Sequence, residues 1–153
     1  MNKSERAVSC FEEYNCAQAV LSTYGPQVGL ERELALRISG AFGGGIARMG
    51  KTCGTVTGAL MVIGLQHGNT QAGDDETKER CYSLAREFMA QFKSRNGSIT
   101  CKELLGCDIN IPEEKLLAKE QGLFDTLCLK FVQDAAEIIE QIINARKEEE
   151  HAG

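Results

Sequence analysis

Residues 74–93 read DDETKERCYSLAREFMAQFK, and this stretch decides the fold class. Cys81, Leu84, Phe88 and Phe92 recur every three or four residues, with Ala85 beside them. That spacing places side chains on one face of an α-helix, while the charged residues between them fall on the other. The segment therefore reads as an amphipathic helix with one face against a core.

The same period extends outward in both directions. Downstream, Thr100-Cys101-Lys102-Glu103 has the form of a capping box and predicts a short helix ending at Gly106. Pro112 opens a further turn over Glu113 to Ala118. The last helix is expected from about Asp125 to Lys147, with Leu127, Phe131, Ala135, Ile138 and Ile142 as its buried stripe. Upstream, helices are expected over Asn2 to Glu13, from Asn15-Cys16-Ala17-Gln18 to Thr23, over Leu30 to Ile38, and from Thr52 to about His67. A glycine-rich connection, Gly40-Ala41-Phe42-Gly43-Gly44-Gly45, precedes the last of these. No segment alternates polar and apolar residues as a half-buried strand would, and only two prolines interrupt the chain. The expectation is an all-α, single-domain multi-helix bundle over residues 1–153, with a glycine-rich loop before a central helix. Residues 147–153 read as a frayed, charged tail.

Composition narrows the class of function. At 153 residues, 42% apolar and 25% charged, the chain has the profile of one soluble globular domain. A formal net charge of −5 without a basic cluster argues against nucleic acid and anionic membrane surfaces as partners. The longest apolar run, Val56 to Leu65, is too short to span a bilayer and contains glycine. The first residues have no apolar signal-like segment. The seven cysteines are an odd number and do not suggest a disulfide framework, so a cytoplasmic location is expected.

Three cysteines repeat one local arrangement. Cys16 follows Asn15, Cys53 follows Thr52 and Cys101 follows Thr100, so each lies just after a residue suited to cap a helix. Unpaired N–H groups and the helix dipole there favour a thiolate, which is both nucleophile and metal ligand. Cys128 lies in a first turn if its helix begins at Asp125 and in the interior if it begins earlier. Cys81 and Cys10 read as packing residues, and Cys107 is left open beside Gly106. Gly54 and Gly58 share one face of a helix beginning at Thr52. Each costs about 1 kcal/mol relative to alanine there, so they imply either close helix packing or room for a cofactor beside Cys53.

Gly45 to Thr52, GIARMGKT, matches the phosphate-loop pattern G-x-x-x-x-G-K-[ST]. A nucleotide site of that kind needs a preceding strand in a parallel sheet, and none is visible in the sequence. A non-catalytic helical interaction module is the third alternative, and it would leave the cysteines scattered.

Four blocks carry a resemblance: Asn15 to Leu21, Phe42 to Gly45 leading into Cys53 to Leu60, Cys101 to Leu105, and Cys128. In order and spacing they resemble the redox-active family named for its C_GCAxxG_C_C cysteine pattern, over about residues 5–145. Thr55 departs from that pattern, which prefers alanine, and is expected on the helix surface. The resemblance implies redox activity through Cys16, Cys53, Cys101 and Cys128. It also implies a setting near transporters or oxidoreductases, hence a redox partner protein or transporter-associated oxidoreductase. It brings no substrate, cofactor or reaction. Two chemistries are expected of the four cysteines: reversible disulfide exchange, with Cys53 attacking and Cys16 or Cys101 resolving, or binding of a metal ion or iron–sulfur cluster by all four. The chain would then be a thiol-based oxidoreductase or an electron-transfer accessory.

Overall fold

Local capping and a single buried helix organise the chain. The computed structural model describes the backbone of residues 1–152 and the side chains of residues 1–145. Its helices are α1 (Lys3–Phe11), α2 (Cys16–Tyr24), α3 (Arg32–Ile38), α4 (Gly54–His67), α5 (Asp75–Asn96), α6 (Cys101–Leu105), α7 (Pro112–Glu120) and α8 (Leu123–Ala152). A 3-10 turn over Gly25–Val28 follows α2. No strand occurs among the described residues, so the fold is all-α. None of the described helices is long and apolar enough to cross a membrane. The side chains of the expected charged tail lie outside the described residues, although α8 itself continues to Ala152.

α4 is the centre. Gly54, Thr55, Val56, Gly58, Ala59, Val62 and Ile63 are all buried along it, as expected of a helix enclosed by others. α2, α5 and α8 pack around it. The core is built from Val20, Leu21 and Tyr24 of α2, Phe88 and Phe92 of α5, and Val132, Ile138 and Ile139 of α8. Phe92 links α5 to α8 through Phe131, with ring centroids 6.1 Å apart. The Tyr24 hydroxyl would be costly to bury alone; it donates to Glu140 at 2.8 Å. Arg95 of α5 meets Asp134 and Glu137 of α8 at 3.3 and 2.7 Å.

The amphipathic faces expected for α5 and α8 are the faces that meet the core, and the expected cap at Asn15 is present. Its side chain accepts from Gln18 N–H at 2.8 Å, and its own N–H donates to the Gln18 side-chain oxygen at 3.0 Å. One expected start and one expected capping box are corrected, while α6 opens at Cys101 after Thr100 as expected. α4 begins at Gly54 and Cys53 is its N-cap, because Thr52 is taken up in an antiparallel bridge with Thr100. The Thr100–Glu103 capping box does not form, since the Ser98 hydroxyl donates to Glu103 and accepts from Thr100 N–H.

Candidate functional site

The bridge explains how distant cysteines meet. Cys53 N–H donates to Ile99 C=O at 2.8 Å, and Cys101 N–H donates to Lys51 C=O at 2.7 Å. Residues 51–53 and 99–101 therefore run side by side, bringing Cys53 next to the segment that holds Cys101. α2 supplies Cys16 from the other side, and α8 supplies Cys128 from its interior, because that helix starts at Leu123. All four cysteines line one pocket of about 650 Å³, together with Phe11, Leu104, Ile109, Phe124 and Phe131. All seven cysteines of the chain are free thiols. Cys10 and Cys81 pack half-buried against the core, as does Cys107, and none of the three lines the pocket.

The four thiols are not equivalent. Cys16 is half-buried and Cys53 is buried at 5% exposure, and both line the pocket. The Cys53 thiol donates a hydrogen bond to the Cys16 sulfur, the largest influence bringing Cys16 down from 9.0 to about 7. Burial opposes this, and the backbone amides of Gly44, Ala17 and Gly54 reinforce it. Three main-chain N–H groups and one S–H thus surround a single sulfur. The same contact pushes Cys53 upward, aided by burial and by the charge on Cys16. Burial, then the charges of Cys16 and Cys107, raises Cys101 to about 12. Cys128 also rises to about 12, with burial again the main cause, followed by Cys16, Cys101, Asp125 and Cys107. The expectation that each cap-adjacent cysteine is a favoured thiolate therefore holds for Cys16 alone.

Two features of the backbone make room for the Cys16 sulfur. A Cβ on Gly54 would collide with Cys16 Sγ and stand 3.0 Å from both Ala17 N and Phe42 O. Gly58 meets Ala17 O at 3.0 Å in the same way. Both glycines serve the close approach of α2 to α4, and the space expected for a cofactor beside Cys53 holds Cys16 itself. The second feature is the segment Gly44 to Arg48, whose φ angles are 67°, 72°, 64°, 50° and 65°. Five successive left-handed residues, three of them not glycine, cost about 1–2 kcal/mol per non-glycine residue. The turn is held by Ile46 N–H to Phe42 C=O, Ala47 N–H to Ala41 C=O, Arg48 N–H to Gly43 C=O and Lys51 N–H to Gly45 C=O. It aims Gly44 N–H at Cys16 and sets Ala47 and Arg48 on the pocket wall. Strain concentrated in this way is typical of functional sites.

The phosphate-loop reading of Gly45 to Thr52 is corrected by the same geometry. Every amide from Ile46 to Lys51 donates to a carbonyl within residues 41–46, so none of those is left to cradle a phosphate. No strand precedes the loop among the described residues. Four thiols would suit zinc or an iron–sulfur cluster chemically. As placed, however, no three His, Cys, Asp or Glu side chains among the described residues are grouped to hold an ion.

Thr55 is a residue whose role sequence reasoning missed. Expected on the surface, it is fully buried, with its hydroxyl 3.1 Å from Cys53 Sγ. Its departure from the alanine of the motif was the available signal.

Residues 14–142 match the family model described as "Putative redox-active protein (C_GCAxxG_C_C)". The chain belongs to this family. Comparison with curated proteins and with solved structures returned no match. The C_GCAxxG_C_C match includes Cys16, Cys53, Cys101 and Cys128, the four residues around the pocket.

Proposed function

We propose that this C_GCAxxG_C_C protein catalyses reversible thiol–disulfide exchange, with Cys16 attacking and Cys53 resolving. The observation that carries the reading is the pairing of Cys16 and Cys53 on the wall of one pocket, an interaction that brings the first thiol down and pushes the second up. A thiol with a pKa near ambient pH is the best attacking group, since it combines thiolate population with nucleophilicity. The sequence-based assignment of the attack to Cys53 is therefore exchanged for Cys16.

In the forward direction the Cys16 thiolate attacks one sulfur of a disulfide, forming a mixed disulfide and releasing the other half as a thiolate. Cys53 gives its proton to that departing thiolate or to water, then attacks the Cys16 sulfur. The Cys16–Cys53 disulfide forms and the second half leaves. The substrate gains two electrons and the protein loses two. Of the two protons the product thiols take up, one comes from Cys53 and the other from water, because Cys16 enters as the thiolate. Cys101, which lines the same pocket, is the competing resolver, and Cys128 completes the set of thiols there. The chemistry suits a thiol-reducing compartment such as the cytoplasm, with a partner reductase closing the cycle.

The test is trapping. With bis(2-hydroxyethyl) disulfide, Cys53→Ser should accumulate one mixed disulfide, mapped to Cys16, while Cys16→Ser should accumulate none. The unaltered protein should lose two thiols to a Cys16–Cys53 bond. Mapping the bond to Cys16–Cys101 would overturn the assignment of the resolver, and an unreactive Cys16 would overturn the function. Metal content of anaerobically purified protein, measured alongside, would reveal a thiolate-bound ion.

A further inference from the structure

The charges around the pocket are uneven. Arg48, Lys115 and Lys119 line it, with Asp125 the only carboxylate among the described lining residues. None of the three cations forms an ion pair with a described residue. Other described cations, Lys3, Arg6, Arg37 and Lys51 among them, also lack an ion pair with a described residue, but these three line one pocket. Three cations against one carboxylate gather around this largely apolar cavity, although the chain as a whole carries a net charge of −5. It also faces a site that itself becomes anionic, since Cys16 is half ionised near neutral pH.

Placement separates these cations by role. Arg48 stands on the left-handed turn that contributes Gly44 N–H to Cys16. Lys115 and Lys119 are one turn apart on α7, a different element from the turn that carries Arg48, and line the same pocket. Charges on two elements suit a ligand with anionic groups at both ends and its reacting bond between them. A volume of about 650 Å³ is that of a small-molecule site. The interior is apolar around the sulfurs, which matches the character of an uncharged S–S bond.

Resting on the exchange reading, we propose that the pocket takes a small dianionic disulfide, its terminal carboxylates meeting Arg48 on one side and Lys115 and Lys119 on the other. Cys16 attacks the central S–S bond, one thiol-acid leaves, and Cys53 releases the second, so one disulfide becomes two thiols while Cys16 and Cys53 become a disulfide. The cations offset the repulsion between the thiolate and an anionic substrate, and they raise its local concentration.

Three disulfides of similar size separate charge from chemistry: 3,3′-dithiodipropionate, bis(2-hydroxyethyl) disulfide and cystamine. Each rate of reaction with the reduced protein is divided by its rate with 2-mercaptoethanol, so that intrinsic reactivity cancels. The expected order at low salt is dianion, then neutral, then dication, spanning at least about tenfold and shrinking as salt screens the cations. Replacing Arg48, Lys115 and Lys119 together by Gln should reduce the dianion-to-neutral ratio by about tenfold. The ratio is internal to each variant and does not depend on how much protein is active. A flat or reversed order, with Cys16 still forming mixed disulfides, overturns the substrate class and leaves the exchange function standing. Faster reduction of insulin disulfides than of dithiodipropionate overturns the small-molecule size. No reaction at Cys16 with any of these disulfides overturns the exchange reading itself.

Discussion

The two sides of the pocket carry the same residue type in opposite states. On one side, Cys16 is met by three backbone N–H groups and a thiol, and it is driven toward thiolate. On the other, burial dominates at Cys101 and Cys128, and both are held protonated. Proximity to a helix start does not account for the contrast, since Cys101 is the first residue of α6 and still rises. What separates them is whether amides converge on the sulfur itself. A five-residue helix gives a weak field, whereas the α2 start, the α4 start and the left-handed turn all point at one atom. Donor geometry outweighs helix position.

The largest test of this contrast is alkylation at pH 7. With thiol pKa values of about 7 and about 12, Cys16 and Cys128 differ by roughly five decades in thiolate fraction. The lower nucleophilicity of the more acidic thiol returns about half of that on a logarithmic scale. Cys16 should therefore react with iodoacetamide about 300-fold faster than Cys128, as read by peptide mass spectrometry; comparable rates would erase the distinction.

A substitution pair sharpens the geometric side of the comparison. Gly54→Ala inserts a methyl group against Cys16 Sγ and two backbone atoms and should destabilise by about 3 kcal/mol. Gly64→Ala, ten residues along the same helix, meets nothing within 4 Å and should stabilise by up to about 1 kcal/mol. Urea denaturation of both variants provides the check, and equal effects would mean that glycine at position 54 is not there to admit the sulfur.

Linkage makes the next contrast visible as stability. The folded Cys16 titrates near 7 and the unfolded thiol near 9.0, so its contribution is complete above pH 9 and lost as pH falls through 7. Cys53, Cys101 and Cys128 have the opposite sign: their contributions are present below pH 9 and lost as pH rises toward their folded values. Between pH 7 and 9 the protein should gain about 2 kcal/mol from Cys16. Comparing urea midpoints at the two pH values with those of Cys16→Ser isolates the gain, which the variant should lack.

The smallest effect concerns Thr55. Thr55→Val removes the hydroxyl that supports Cys53 and should raise the Cys16 pKa by about half a unit, through a weaker Cys53 donor. No change would place Thr55 outside the network.

What could be read in the sequence was local. The Asn15–Gln18 box, the helical faces of α5 and α8 and the αL glycine at Gly106 depend on neighbours a few residues apart, and all were legible. Thr52 misled because its pairing with Thr100 joins segments nearly fifty residues apart and takes it out of the helix start, whereas Thr100 still stands at the N-cap of α6. The left-handed run was illegible for a related reason. Ile46, Ala47 and Arg48 have no intrinsic preference for it, and only the packing and hydrogen bonds around them enforce it. Convergence of the four cysteines was an expectation that local patterning could motivate but not derive. It depends on the bridge, on the approach of α2 to α4 at Gly54, and on the position of Cys128 inside α8.

The most direct measurement is thiolate absorbance near 240 nm as a function of pH, on fully reduced protein and on Cys16→Ser. One thiolate should appear with a midpoint near pH 7 and vanish in the variant, leaving the pocket-facing Cys101 and Cys128 silent until strongly alkaline pH. A neutral-range step that persists without Cys16, or the absence of any such step in the unaltered protein, would contradict the account.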